Sequence, residues 1–60
     1  MLKFERALAT LSEKHRQVFL LRWQHGLSYA EIAAVLEIPV KTVDSRMVRA
    51  MQAMRSVCLS

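Results

Sequence analysis

The sequence predicts an all-α domain, a small bundle of three or four helices that contains a helix-turn-helix. Hydrophobic residues make up 53% of the 60-residue chain, and turn-forming residues are scarce, with one Gly and one Pro. The apolar residues of the C-terminal third recur at helical spacing. A chain of this length lies near the lower limit for a self-sufficient core, so we expect one domain over residues 1–60.

The N-terminal half is predicted to form two helices that are separated at Ser12. The first spans about residues 2–10 and the second about residues 13–25. A serine directly before a helix can accept a hydrogen bond from a free backbone N–H of the first turn, so we expect Ser12 to cap the second helix. Gly26 follows, and glycine readily adopts the left-handed conformation that closes a helix.

The tetrapeptide SYAE, from Ser28 to Glu31, predicts the start of a third helix over residues 29–36. It fits the S-x-x-E capping box, in which the glutamate side chain reaches back to the backbone of the serine. Pro39 cannot continue that helix but can open the next one, predicted over about residues 40–57. Because the turn between them is short, the last two helices must cross steeply, as in a helix-turn-helix.

The final helix is predicted to have a core face and an outward face. The core face consists of Val40, Val43, Met47, Ala50, Met51 and Met54. The outward face consists of Lys41, Thr42, Ser45, Val48, Arg49 and Gln52. Small and polar residues in its first turns are typical of a helix that enters a DNA major groove, although an ordinary solvated face is the alternative. From the other helices we expect a core of Ile32, Ala33 and Leu36, with most of Val18, Phe19, Leu21 and Trp23.

Charge and residue usage narrow the classes of function. Nine Lys and Arg against five Asp and Glu leave a net charge of +4, which suits a polyanionic partner. Cys58 is the only cysteine, so no intrachain disulfide forms, and a cytoplasmic location is expected. His15 and His25 have no cysteine near them to complete a metal site. With no catalytic grouping, Gly-rich phosphate loop or apolar membrane span, we expect no enzyme, no cofactor, no small-molecule substrate and no membrane contact.

The stretch LSEKHRQVFLLRWQHGLSYAEIAAVLEIPVKTVDSRMVRAM resembles the C-terminal region 4 of bacterial extracytoplasmic-function sigma factors. The motifs that carry the resemblance are GLSYAEIA, the IP turn and TVDSR followed by Arg49 and Ala50. The resemblance implies that the domain binds the −35 element of promoter DNA and the β flap of RNA polymerase, with an anti-sigma factor as a further partner. LuxR-type regulators share GLS-x-x-EIA and are the alternative, but their recognition helix usually continues TVxxH. A helical module that mainly binds protein is the other alternative.

The resemblance also assigns residue roles. Ser45 and Arg49 match base-reading positions, and a guanidinium can bond both O6 and N7 of guanine; a phosphate contact or a free surface position is the alternative for Arg49. Val48 and Asp44 are the other expected base contacts. The expected DNA backbone contacts are Lys41, Thr42, Arg46, Ser28 and Tyr29, and for Tyr29 simple packing is the alternative.

Two positions depart from the family pattern. Glu37 stands where the family commonly has Gly, so either the turn is less left-handed than usual or Glu37 is strained. Asp44 stands where the family usually has Lys or Arg. The helix dipole and a pair with Lys41 would explain this acid on structural grounds. Alternatively, its carboxylate accepts a hydrogen bond from cytosine N4 and repels phosphate, which favours selectivity over general affinity.

Overall fold

The computed structural model describes the backbone of residues 2–59 and the side chains of residues 5–56. It contains four helices, α1 (Leu2–Thr10), α2 (Glu13–Trp23), α3 (Tyr29–Leu36) and α4 (Val40–Leu59), and this part of the chain has no strand. The predicted all-α class and helix-turn-helix are confirmed. None of the described helices is both long and apolar enough to cross a membrane.

The end of α2 and the start of α4 follow from local residue chemistry. α2 ends at Trp23, two residues before the predicted end at His25, and Gly26 then adopts the left-handed conformation with φ +65°. Pro39 opens α4, since its carbonyl accepts hydrogen bonds from the N–H groups of Thr42 at 3.0 Å and Val43 at 3.2 Å. α4 continues to Leu59, beyond the predicted end at residue 57.

The predicted cap at Ser12 is wrong in its chemistry. Ser12 holds the extended conformation of an N-cap, but its hydroxyl accepts no capping hydrogen bond. The first turn of α2 is instead held by an exposed ion pair, with the Arg16 guanidinium 2.6 Å from the Glu13 carboxylate. A sequence rule identifies the residue type that suits the position, while the rotamer of Ser12 decides whether the bond forms.

α4 is the helix on which the bundle is built. It contacts each of the other three helices and supplies buried residues to both hydrophobic clusters. The first cluster consists of Val18, Ile32, Ala33, Val43 and Met47. The second consists of Ala7, Leu11, Ala50 and Met54. Phe19 packs against both, so the two clusters form one continuous core.

Three residues predicted for the core are exposed. Trp23 keeps 58% of its surface accessible, and Val40 and Met51 keep 48% each. The buried arc of α4 is centred on Val43, Met47, Ala50 and Met54, and Val40 and Met51 lie at its edge, where no other helix covers them. Helical periodicity predicts the side on which a residue lies but not how far the neighbouring helices extend over it.

Candidate nucleic-acid interface

The start of α3 carries the predicted capping box. The Ser28 hydroxyl accepts a hydrogen bond from the Glu31 backbone N–H at 3.1 Å, and the Glu31 carboxylate accepts one from the Ser28 N–H at 2.8 Å. Hydrogen bonding from the backbone and then from the side chain of Ser28 holds the pKa of Glu31 below its ordinary value. The start of the helix-turn-helix is therefore fixed by two reciprocal bonds.

The turn between α3 and α4 contains a strained glutamate. Glu37 has φ 57° and ψ 46°, the left-handed conformation that the equivalent glycine position favours. The backbone N–H groups of Glu37 and Ile38 both reach the carbonyl of Ala33, the latter at 3.1 Å. Of the two outcomes expected at Glu37, strain is the correct one, because these hydrogen bonds require the left-handed backbone whatever residue occupies it.

The face of α4 that points away from the core presents the predicted base-contact residues. Asp44, Ser45, Val48 and Arg49 are all exposed, and so is Lys41. Thr42 and Arg46 are half-buried on the flank nearer the core. The four predicted base contacts therefore lie together on one accessible surface, which the predicted backbone contacts of α4 border.

Asp44 has no partner among the side chains that the structure describes. The expected pair with Lys41 does not form, and the only ion pair within residues 5–56 joins Glu13 to Arg16. A basic residue that precedes the acid on a helix is the less favourable order, and an exposed pair of this kind is worth only a few tenths of a kcal/mol. One structural reason for an acid at this position is thereby removed.

Tyr29 lies beside the middle of α4 rather than in solvent. It is half-buried and packs against the first cluster. An open groove of about 550 Å³ adjoins it, lined by Phe19, Arg22, Trp23, Tyr29, Met47 and Met51. The Tyr29 side chain therefore packs against the core, as the packing alternative stated. Ser28, the residue before it, is exposed.

Arg22 is a residue of this region that the sequence analysis did not single out. Its guanidinium donates a hydrogen bond to the carbonyl of Leu27 at 3.2 Å and ties the end of α2 to the loop before α3. The bond leaves a positive charge next to the α3 N-terminus. The only signal in the sequence is a basic residue in the last turn of α2.

Comparison with known proteins matches residues 1–54 to the family described as sigma-70, region 4. The chain belongs to this family. Among its relatives are the ECF RNA polymerase sigma-E factors of Escherichia coli (strain K12), Salmonella typhi and Shigella flexneri. Each is 48% identical over 48 residues, which cover 80% of this chain and 25% of the relative. The chain thus spans about a quarter of the length of these curated relatives.

The region 4 match decides between the two DNA-binding families that the sequence left open. It includes α3, the turn after it and α4 as far as residue 54, and therefore all the predicted DNA contacts. GLSYAEIA occupies the loop before α3 and its first turns, and TVDSR occupies the first turns of α4. The motifs that carried the resemblance are the segments that build this surface.

Proposed function

We propose that this region 4 domain recognises the −35 element of a promoter by placing α4 in the DNA major groove. The observation that carries the proposal is the exposed face of α4, where Ser45 and Arg49 are accessible on the side away from the buried residues of the helix. Sigma-family membership and the net charge of +4 support it. The proposed role is DNA binding and not catalysis. Because bacterial promoter DNA is found in the cytoplasm, the proposal also places the domain there.

Within this proposal the residues of α4 divide into two groups. Arg49 bonds O6 and N7 of a guanine, Ser45 bonds a neighbouring base edge, and Val48 and Asp44 meet further base edges. Lys41, together with Thr42 and Arg46 on the flank nearer the core, holds phosphates. Contacts of the second group position the helix on the duplex, whereas contacts of the first group select its sequence.

The start of α3 supplies a further phosphate contact. The first backbone N–H groups of a helix have no partner within it, and the helix dipole favours an anion there. Because the Ser28 N–H already donates to Glu31, Ser28 contributes its hydroxyl proton instead. Tyr29 contributes its backbone N–H, and Arg22 adds a charge that reduces the unfavourable effect of the Glu31 carboxylate.

RNA polymerase is the proposed protein partner, through the flap of its β subunit, and an anti-sigma factor is a second one. The groove bordered by Trp23 and Met51 supports a protein contact, since both side chains are about half exposed. Exposed large apolar side chains that cluster in a concave surface are typical of interaction sites. The groove borders the proposed DNA surface at Arg22 and Tyr29, so we propose that DNA and polymerase are bound on adjacent surfaces of the domain.

The experiment that tests DNA recognition compares two alanine variants on duplexes of varied sequence across a salt series. Arg49→Ala should relax specificity at one base pair by about 1–3 kcal/mol. Lys41→Ala should weaken binding to all duplexes alike and reduce the slope of log affinity against log salt by about one. Both residues are exposed, so neither change disturbs the core. If both variants bind every duplex as the parent does, α4 is not the recognition helix.

A further inference from the structure

Val40, Asp44 and Val48 form a line along the exposed side of α4. They are four residues apart, so their Cα atoms follow one another at about 6 Å along the helix axis, and each is rotated by about 40° from the one before. Both valines keep 48% of their surface accessible, and Asp44 is exposed between them. We call this line the Val-Asp-Val stripe. Its two valines are therefore apolar side chains that the core of the domain does not cover.

The chemistry of the stripe limits what it can meet in a major groove. Asp44 is the only acid of α4, and its carboxylate has no bonding partner among the described side chains. Phosphates repel it, so in the groove it needs a hydrogen-bond donor. Adenine N6 lies beside the N7 acceptor, which repels a carboxylate, whereas cytosine N4 has no acceptor beside it on the same base, so cytosine is the better partner. Valine can only make apolar contacts, and the apolar group of the major groove is the C5 methyl of thymine. Both groups belong to pyrimidines.

The opposite flank of α4 has the complementary chemistry. Arg49 is five residues after Asp44, which places it about 140° away around the helix. A helix that fills a major groove turns its two flanks toward the two strands. Arg49 also lies about 7.5 Å farther along the helix axis than Asp44, so the two side chains meet different base pairs, with a guanine on one strand beside Arg49 and a cytosine on the other strand beside Asp44. The two flanks therefore suit a duplex with purines on one side and pyrimidines on the other.

We propose that the Val-Asp-Val stripe reads a pyrimidine-rich strand of the promoter element, with Asp44 accepting a hydrogen bond from cytosine N4 and the valines packing against adjacent thymine methyl groups. The inference rests on the proposed function of α4 as the recognition helix and names the bases it selects. It also gives Asp44 a second effect, because its repulsion of phosphate lowers affinity for duplexes that lack the cytosine.

The test begins with selection of bound sequences from a random duplex pool by the 60-residue chain. The same selection is made with Asp44→Ala, Val48→Ala and Arg49→Ala. Glu37→Ala is the matched control, because it removes an exposed acid outside the stripe. Fluorescence anisotropy then measures affinity for the selected duplex, for a version with its cytosine pair replaced by a thymine pair, and for a version with deoxyuridine in place of thymine.

The parent should select a run of pyrimidines that includes a cytosine and should lose roughly five- to tenfold in affinity when that cytosine becomes thymine. Asp44→Ala should reduce this discrimination to less than about twofold and bind unselected duplexes more tightly, with a steeper salt dependence. Deoxyuridine removes one methyl group and should weaken the parent by about three- to fourfold. Val48→Ala should lose less affinity than the parent, about twofold or less, when the thymine that Val48 contacts is replaced by deoxyuridine.

The outcomes separate this inference from the function on which it rests. If Arg49→Ala relaxes the selected sequence but Asp44→Ala keeps the cytosine preference, or Val48→Ala keeps the sensitivity to deoxyuridine, the stripe proposal is overturned and α4 remains the recognition helix. A selected site without clustered pyrimidines overturns it as well. If the parent selects no sequence, or Arg49→Ala changes nothing, the proposed function itself fails.

Discussion

Replacing Glu37 with glycine should stabilise the domain. A non-glycine residue in the left-handed conformation costs roughly 1–2 kcal/mol, and Glu37 occupies that conformation with φ 57° and ψ 46°. Its side chain is exposed and forms no hydrogen bond or ion pair among the described residues, so its loss removes no such interaction. Glycine also increases the entropy of the unfolded chain, which offsets about 0.4–1 kcal/mol. The expected net gain for Glu37→Gly is about 0.5–1 kcal/mol.

Urea unfolding followed by far-UV circular dichroism measures this gain, and thermal unfolding should show a rise in Tm of about 2–8 °C for a domain of this size. Glu37→Ala is the matched control, since it removes the same carboxylate but keeps a Cβ at the left-handed position. It should remain within about 0.5 kcal/mol of the parent. If Glu37→Gly is no more stable than Glu37→Ala, the strain assigned to this turn does not exist.

Three further predictions concern the capping box, the core and the groove. The lowered pKa of Glu31 means that its ionised form stabilises the fold above the ordinary value of 4.5 and that this contribution is lost as the pH falls below 4.5 through the folded-state pKa. Glu31→Gln keeps a capping side chain, so its urea stability should fall less steeply than that of the parent on acidification; equal slopes would contradict the assignment. Met47→Ala should cost about 2–5 kcal/mol because Met47 is 2% exposed, whereas Met51→Ala at 48% exposure should cost less than about 1 kcal/mol, and similar Tm losses would show that the burial pattern is wrong. Trp23→Ala should leave duplex affinity unchanged and weaken binding to the isolated β flap by about 2 kcal/mol in calorimetry, while unchanged flap binding would exclude the groove as the polymerase contact.

Local signals in the sequence predicted local structure well. The capping box at Ser28 and Glu31 formed because both partners lie within one turn of the same helix, and Pro39 opened α4 for the same reason. Gly26 and Glu37 both adopt the left-handed conformation just after a helix. The end of the helix therefore determines this backbone conformation, even where the residue is not glycine. Such features depend on few neighbours, so a sequence pattern describes most of them, although the hydrogen bond expected at the Ser12 hydroxyl did not form.

Features that depend on tertiary neighbours were predicted less well. Periodicity placed Val40 and Met51 with the core, but the edge of α4 on which they lie is left uncovered. Trp23 is exposed for a related reason, since it borders the open groove. The role of Arg22 depends on a bond to Leu27 across the loop, which no spacing rule describes. For the predicted DNA contacts, the structure gives accessibility, and the binding experiments above assign their roles.

The division of α4 into buried and exposed positions has a consequence for how such domains diversify. Val43, Met47, Ala50 and Met54 are buried, whereas Asp44, Ser45, Val48 and Arg49 are exposed. Substitutions at the exposed positions usually change stability by less than about 0.5 kcal/mol. Under the proposed function, these four exposed residues can therefore be varied to change the promoter sequence that α4 selects, while the buried residues stay the same.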